Sequence, residues 1–155
     1  MTAEFWINLF EAVSSLVIAV IVAYIAYRQH ILDKNKFRLD LYDRRLRGFK
    51  VIKRIISETV RSGDFPLKDQ DILREFWEAM AESNFIFDKE IVDYFDEIYR
   101  KGLDLHFLEE RLGTIQGQGE REKIITSRSK CFEWFTHQLK NHTEIFKKYL
   151  KIYSS

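Results

Sequence analysis

The chain has 155 residues, which suits one domain with room for an appended segment. Its 25 Lys and Arg against 24 Asp and Glu leave a net charge of +1, so no global field steers it towards nucleic acid, and 46% hydrophobic with 32% charged residues excludes a disordered chain. A single cysteine, Cys131, excludes a disulfide framework and a zinc cluster, while one proline and six glycines exclude the many tight turns of a sandwich or barrel and favour long helices.

The first element is apolar. Residues 5–27 read FWINLFEAVSSLVIAVIVAYIAY. As a helix they rise ~34 Å, enough to cross a hydrocarbon core of ~30 Å with some tilt. Leu16 to Ala26 carries no charge, and Trp6, Tyr24 and Tyr27 stand where interfacial aromatics belong. A cleavable signal peptide needs a basic leading region and a small-residue cleavage site. Met1–Glu4 has no Lys or Arg and no clear site follows the run, so the expectation is a retained transmembrane helix. Arg28, Lys34, Lys36 and Arg38 form a juxtamembrane basic flank, whereas the other side carries Glu4. The positive-inside rule then places the N-terminus outside and residues 28–155 in the cytoplasm. There Cys131 meets a reducing compartment, and the sequon Asn141-His142-Thr143 stays unglycosylated.

Asn8, Glu11, Ala12, Ser15, Ala19, Ala23 and Ala26 follow three- and four-residue steps and form a small or polar stripe down this helix, opposite Leu9, Val13, Val17 and Val20. Such stripes let two helix backbones approach closely, so they are candidates for membrane-helix association. For Glu11 three readings stay open: an interfacial position, an interhelical hydrogen bond, and a pore-lining role.

Residues 33–155 are expected to form a cytoplasmic bundle. Helix A covers about 33–62, with Leu39, Tyr42, Leu46, Phe49, Ile52, Ile56 and Val60 on one face and Asp40–Arg44 and Asp43–Arg47 as i,i+4 pairs on the other. So little linker follows Tyr27 that the span is free to run on into this helix. Gly63 and Pro66 end helix A. Helix B spans about 69–83, with Ile72, Leu73, Phe76, Trp77 and Met80 inward; Ser83–Phe87 is a short apolar link. Helix C spans about 89–112, capped by Asp88 and ended by Gly113, with Ile91, Phe95, Ile98, Leu105 and Leu112 inward. Helix D spans about 120–152, with Ile124, Cys131, Phe135, Leu139, Phe146, Tyr149 and Ile152. Short connections make neighbours antiparallel. The fold class is therefore all-α: a transmembrane anchor over 1–32 and a helical bundle of about four helices over 33–155.

Charge is sorted along the chain. Residues 28–61 hold eleven Lys or Arg against four acids, 62–119 six against fourteen, and 120–155 eight against four. Helices A and D are basic, B and C acidic. The plain use is mutual attraction within the bundle; the functional one is a basic groove between A and D for an anionic ligand such as a nucleotide. The end of D, Ile145–Tyr153, reads either as an aromatic and basic segment for an anionic membrane surface or as the frayed end of a bundle helix.

Catalytic patterns mostly fail. There is no HExxH, no Glu three residues before any His, no GK[ST] and no GxSxG, and Gly117-Gln118-Gly119 lacks the third glycine and the preceding strand of a dinucleotide fingerprint. Cys131 and His137, six residues apart, fall on different sides of helix D. Glu90, Asp93 and Glu97 line one face of helix C, and by default such a face is simply solvated. Arg100 and His106 resemble the Arg-x₄₋₆-His signature of HEPN ribonucleases, a two-residue match. No catalytic residue, metal site or cofactor is expected.

The run Arg38-Leu-Asp-Leu-Tyr-Asp-Arg-Arg-Leu-Arg-Gly-Phe49, with Phe76-Trp77 and Asn84–Phe95, resembles a group of small bacterial membrane-anchored helical proteins whose "LYDRR" helix follows an N-terminal span. The resemblance covers roughly residues 1–150. It implies an inner-membrane protein with a helical domain, and no activity. Effectors of phage-defence systems share this architecture, by analogy alone. The resulting expectation is a self-associating membrane-anchored interaction or scaffold module without catalysis, partnered by the bilayer, by copies of itself, and by an anionic small ligand or a protein. The alternative is an oligomeric membrane effector triggered by such a ligand or partner; a HEPN-like nuclease is the lesser one. A reporter fused after Ser155 should be active only in the cytoplasm, and an alkaline phosphatase active at that position would reverse the orientation.

Overall fold

The computed structural model describes residues 3–115 and 117–151; the side chains of residues 3–7, 9 and 12 lie outside that description. Every regular element among the described residues is an α-helix: α1 Ala3–Ser62, α2 Gln70–Ile86, α3 Lys89–Thr114 and α4 Gln118–Lys147. The span and helix A are thus one helix. Proline is absent from the whole of α1, and its single glycine, Gly48, is too little to break it. The chain divides into two compact units, residues 1–40 and residues 41–155. The sequence boundary at 32/33 follows the onset of charge, whereas the division at 40/41 follows the onset of burial.

Within the second unit, α1 stops at Gly63, whose φ of 78° is left-handed and whose N–H bonds the Thr59 carbonyl at 3.0 Å. Asp69 caps α2 by accepting from the Ile72 N–H at 3.1 Å. Asp88 precedes α3 in extended conformation without capping it through its side chain; its carboxylate accepts from the Tyr149 hydroxyl at 3.0 Å instead. The segment 83–86 is helical rather than a link, Gly113 sits inside the last turn of α3, and α4 ends at Lys147. Ile152 lies outside the described residues.

Cross-helix contacts give the topology. Arg47–Glu82 and Arg54–Glu75 set α1 antiparallel to α2. The Phe76 ring against Phe95 and Tyr99 sets α2 against α3. Tyr94 to Gln138 and Arg128 to Glu109 set α3 against α4, and Phe49 to Phe146 with Arg128 to the Gly63 carbonyl closes α4 onto α1. Residues 41–62 and the three later helices therefore make an up-down-up-down four-helix bundle.

Phe76, Phe95, Phe135 and Phe146 are fully buried at its centre, ringed by Ile52, Ile55, Ile56, Ile91, Ile98 and Leu105. Most expected inward residues are inside. Leu39 and Trp77 are not; Trp77 is 44% exposed and covers the flank of the core against Tyr99 rather than filling it. Phe65, in the turn after α1, plugs the bundle against Gly102: a Cβ at Gly102 would clash with the Phe65 ring, far inside van der Waals contact. Glycine at 102 is therefore a requirement of close packing in mid-helix.

The sorted charges pair as attraction predicts. Arg44 and Arg47 reach Glu82 on α2, Arg54 reaches Glu75, and Lys148 of the α4 end reaches Glu90. Arg47 therefore goes across to α2 and not to Asp43 along its own helix. Arg111–Glu120 is the reverse case, a cation of α3 and an acid of α4. Urea unfolding of the detergent-solubilised chain should show Phe135→Ala losing ~3–5 kcal/mol. Gly102→Ala should lose ~1–3 kcal/mol by overpacking, and Trp77→Ala should lose less than Phe135→Ala. Equal losses at 77 and 135 would contradict this placement of the core.

Candidate functional site

Three regions carry candidate chemistry: the N-terminal unit and two clefts on the bundle. In the N-terminal unit α1 is long and apolar enough to cross a membrane, and its apolar window is 0% buried within the protein. Asn8, Glu11, Ser15, Ala19, Ala23 and Ala26 are all exposed on it. At ~100° per residue they fall within a sector of ~120°, so helical geometry does gather them on one side. The side chain of Ala12 lies outside the described residues. Arg28, Lys34, Lys36 and Arg38 are also exposed, but their azimuths surround the helix, which makes a collar rather than a face.

In the bundle, one cleft of about 850 Å³ runs between α1 and α2. Val51, Ala79 and Ala81 line its apolar part and Phe85, 88% exposed, stands at its edge. Its guanidinium groups are engaged: Arg47 donates to Glu82 at 2.6 Å and Arg54 to Glu75 at 2.7 Å. A second cleft of about 470 Å³ lies between α3 and α4, lined by Lys101, Asp104, Phe107, Lys130, Cys131 and Trp134 among others. It shares Leu108, Arg111 and Ser127 with an adjoining cleft that adds Lys123.

The α1/α4 seam, the place of the basic groove that is the second reading of the charge pattern, is packed. Phe49 stacks on His142 at 5.2 Å and meets Phe146 edge-on, and Arg45 lies over the Phe87 and Tyr149 rings. The aromatic residues at the end of α4 turn inwards, with Phe146 and Tyr149 both buried. That end is a bundle terminus. Burial raises the Tyr149 hydroxyl pKa, and the hydrogen bonds to Lys148 and Asp88 pull it in opposite directions.

The two residues of the ribonuclease-like spacing find separate partners. Arg100 pairs with Asp96 one turn earlier, while His106 Nδ1 meets the Asp64 carboxylate at 3.0 Å and its Nε2 lies 3.6 Å from Glu110. His137 contacts Asn141 along the exposed side of α4, away from the buried Cys131. On α3, Asp93 pairs with Lys89 and Glu90 with Lys148. Among the described residues, no group of three or more His, Cys, Asp or Glu is placed to hold a metal.

A buried polar chain went unseen in the sequence. The Tyr94 hydroxyl donates to Gln138 Oε1 at 3.0 Å, and His142 Nδ1 donates to the Gln138 carbonyl at 2.9 Å. The carbonyl can only accept, so His142 Nδ1 carries a proton, and Nε2 is buried without a hydrogen-bond partner among the described residues. Burial, then the charge of Glu97, raises the Tyr94 pKa and keeps that hydroxyl a donor. Gln138 and His142 continue the spacing of Cys131, Phe135, Phe146 and Tyr149, a signal that counting apolar residues alone passes over.

Comparison with protein-family models, curated proteins and solved structures returns no match.

Cys131 donates its thiol to the Lys101 carbonyl at 3.2 Å, and burial pushes its pKa up, with Lys101 opposing. The thiol therefore stays protonated above the range of an exposed cysteine. Iodoacetamide at pH 8 should modify the folded chain at least tenfold more slowly than the chain in urea; equal rates would show an accessible thiolate.

Proposed function

We propose that the protein is a single-pass, membrane-anchored helical interaction module that self-associates and has no catalytic activity of its own. In this reading it resides in a bacterial inner membrane, with the N-terminus outside and residues 28–155 in the cytoplasm. The observation that carries it is the contrast along α1. The apolar window is 0% buried, whereas Val51, Ile52, Ile55 and Ile56 of the same helix are inside a packed core. An exposed apolar surface of that length calls for a bilayer around it. The cationic collar of Arg28, Lys34, Lys36 and Arg38 supports the orientation, and the stripe from Asn8 to Ala26 supports contact between two such helices. The separate engagement of Arg100 and His106 argues against nuclease chemistry, which needs both groups at one phosphate.

In cells the protein should remain in membranes after alkaline carbonate washing, and its expression should leave the membrane potential unchanged. Depolarisation would favour the effector alternative. Self-association is tested on the span itself, residues 1–32, in a membrane two-hybrid assay. Ala19→Leu and Ala23→Leu keep the span apolar but block close approach, so each should weaken association while insertion survives. Val17→Leu, outside the stripe, should score as the wild type. If Ala19→Leu and Val17→Leu score alike, the stripe is an accident of composition.

A further inference from the structure

We infer that the groove between α3 and α4 binds a nucleoside phosphate. The inference goes beyond anchorage and self-association and depends on neither. Its basis is the contrast in charge between the α1/α2 cleft and the α3/α4 cleft. In the α1/α2 cleft, Arg47, Lys50 and Arg54 face Glu75, Glu78 and Glu82, so its cations are matched by carboxylates, and two of them, Arg47 and Arg54, are held in ion pairs that an incoming anion would have to break. In the α3/α4 cleft, Lys101 and Lys130 make no ion pair among the described residues, and neither does Lys123 in the adjoining cleft. Arg111 serves both clefts and is the one cation there that is paired, with Glu120 at 2.9 Å. A single carboxylate, Asp104, stands against Lys101, Arg111 and Lys130 in the cleft itself.

Charge alone would suit any anion. The aromatic surface narrows the class. Phe107 is 55% exposed, although a residue of its size is usually covered, and the half-buried Trp134, perpendicular to Phe135 at 5.0 Å, lines the same cleft. Aromatic side chains lining one cleft with unpaired ammonium groups suit a ligand that has both a flat aromatic base and phosphate oxygens. The volume of about 470 Å³ falls within the range of small-molecule sites. Between these groups lies Cys131, whose thiol remains protonated and adds no negative charge to oppose a phosphate.

The experiment is calorimetric titration of the full chain in phosphatidylcholine nanodiscs with ATP, and separately with adenosine and with tripolyphosphate. ATP should bind saturably, with adenosine and tripolyphosphate each at least tenfold weaker, since neither fills both halves of the site. Lys130→Glu should weaken ATP binding at least tenfold and Phe107→Ser at least threefold. Both positions are exposed, and circular dichroism verifies that the variants fold. If ATP, GTP and CTP show no binding up to 1 mM, the inference is wrong. It is equally wrong if tripolyphosphate binds as tightly as ATP, which is plain electrostatic adsorption, or if folded Lys130→Glu binds ATP like the wild type.

Discussion

A backbone amide in hydrocarbon has no water to bond, so a chain that crosses a bilayer once must satisfy its own amides as an uninterrupted helix. The same chain, to build a soluble bundle, needs a helix with one apolar face and one polar face. α1 meets both demands in succession. Its N-terminal part holds an apolar window of which none is buried within the protein, and its last turns bury Val51, Ile52, Ile55, Ile56 and Thr59. With no proline before Gly63, the helix continues from one regime to the other. On the proposed reading, this continuity is what attaches the bundle to the membrane.

The bundle is then determined by how the other three helices cover the inner face of α1. Four phenylalanines fill the centre, and Phe65 closes one end at the place where Gly102 leaves room for it. Charge supports the order of the helices: cations of α1 and α4 meet acids of α2 and α3 at Arg47–Glu82, Arg54–Glu75 and Lys148–Glu90. Exposed pairs of this kind are worth only ~0.2–1 kcal/mol each. Their main effect is to disfavour other arrangements of the same helices. Lys101, Lys123 and Lys130, which make no ion pair among the described residues, line adjoining clefts on the α3/α4 face, where few carboxylates oppose them and an anion has room.

Much of this is legible in the chain, because three- and four-residue periodicity and a few stop signals carry it. Gly63 and Pro66 mark a helix end, and the inward faces of α3 and α4 follow from Ile91, Phe95, Ile98, Phe135 and Phe146. What stays hidden depends on tertiary placement. Trp77 lies at the margin of the apolar arc of α2, and which of the arc's residues faces the centre is settled by the partner helix. Gln138 and His142 are polar residues in core positions, made tolerable by Tyr94 and by a backbone carbonyl. Helix charge offers the seam between the two basic helices as one place for an anion, but that seam is filled by Phe49, His142 and Phe146. Residues ten or more apart on α3 and α4 make the open one. Net charge per helix identifies which elements are basic; it does not say which cations remain unpaired after folding.

The central claim is that α1 changes environment along its length, from lipid to water to protein core. Single cysteines placed at Val17, Ile21, Ile25, Lys34 and Lys36 in a Cys131→Ser background, probed in intact membranes with a membrane-impermeant maleimide, measure this directly. The account predicts that positions 17, 21 and 25 resist labelling from either side. Positions 34 and 36 should react rapidly when the cytoplasmic face is exposed and remain unlabelled in sealed cells. Labelling of Val17, Ile21 or Ile25 at the rate of Lys34 would show that the apolar part of α1 lies in water, and would contradict the account.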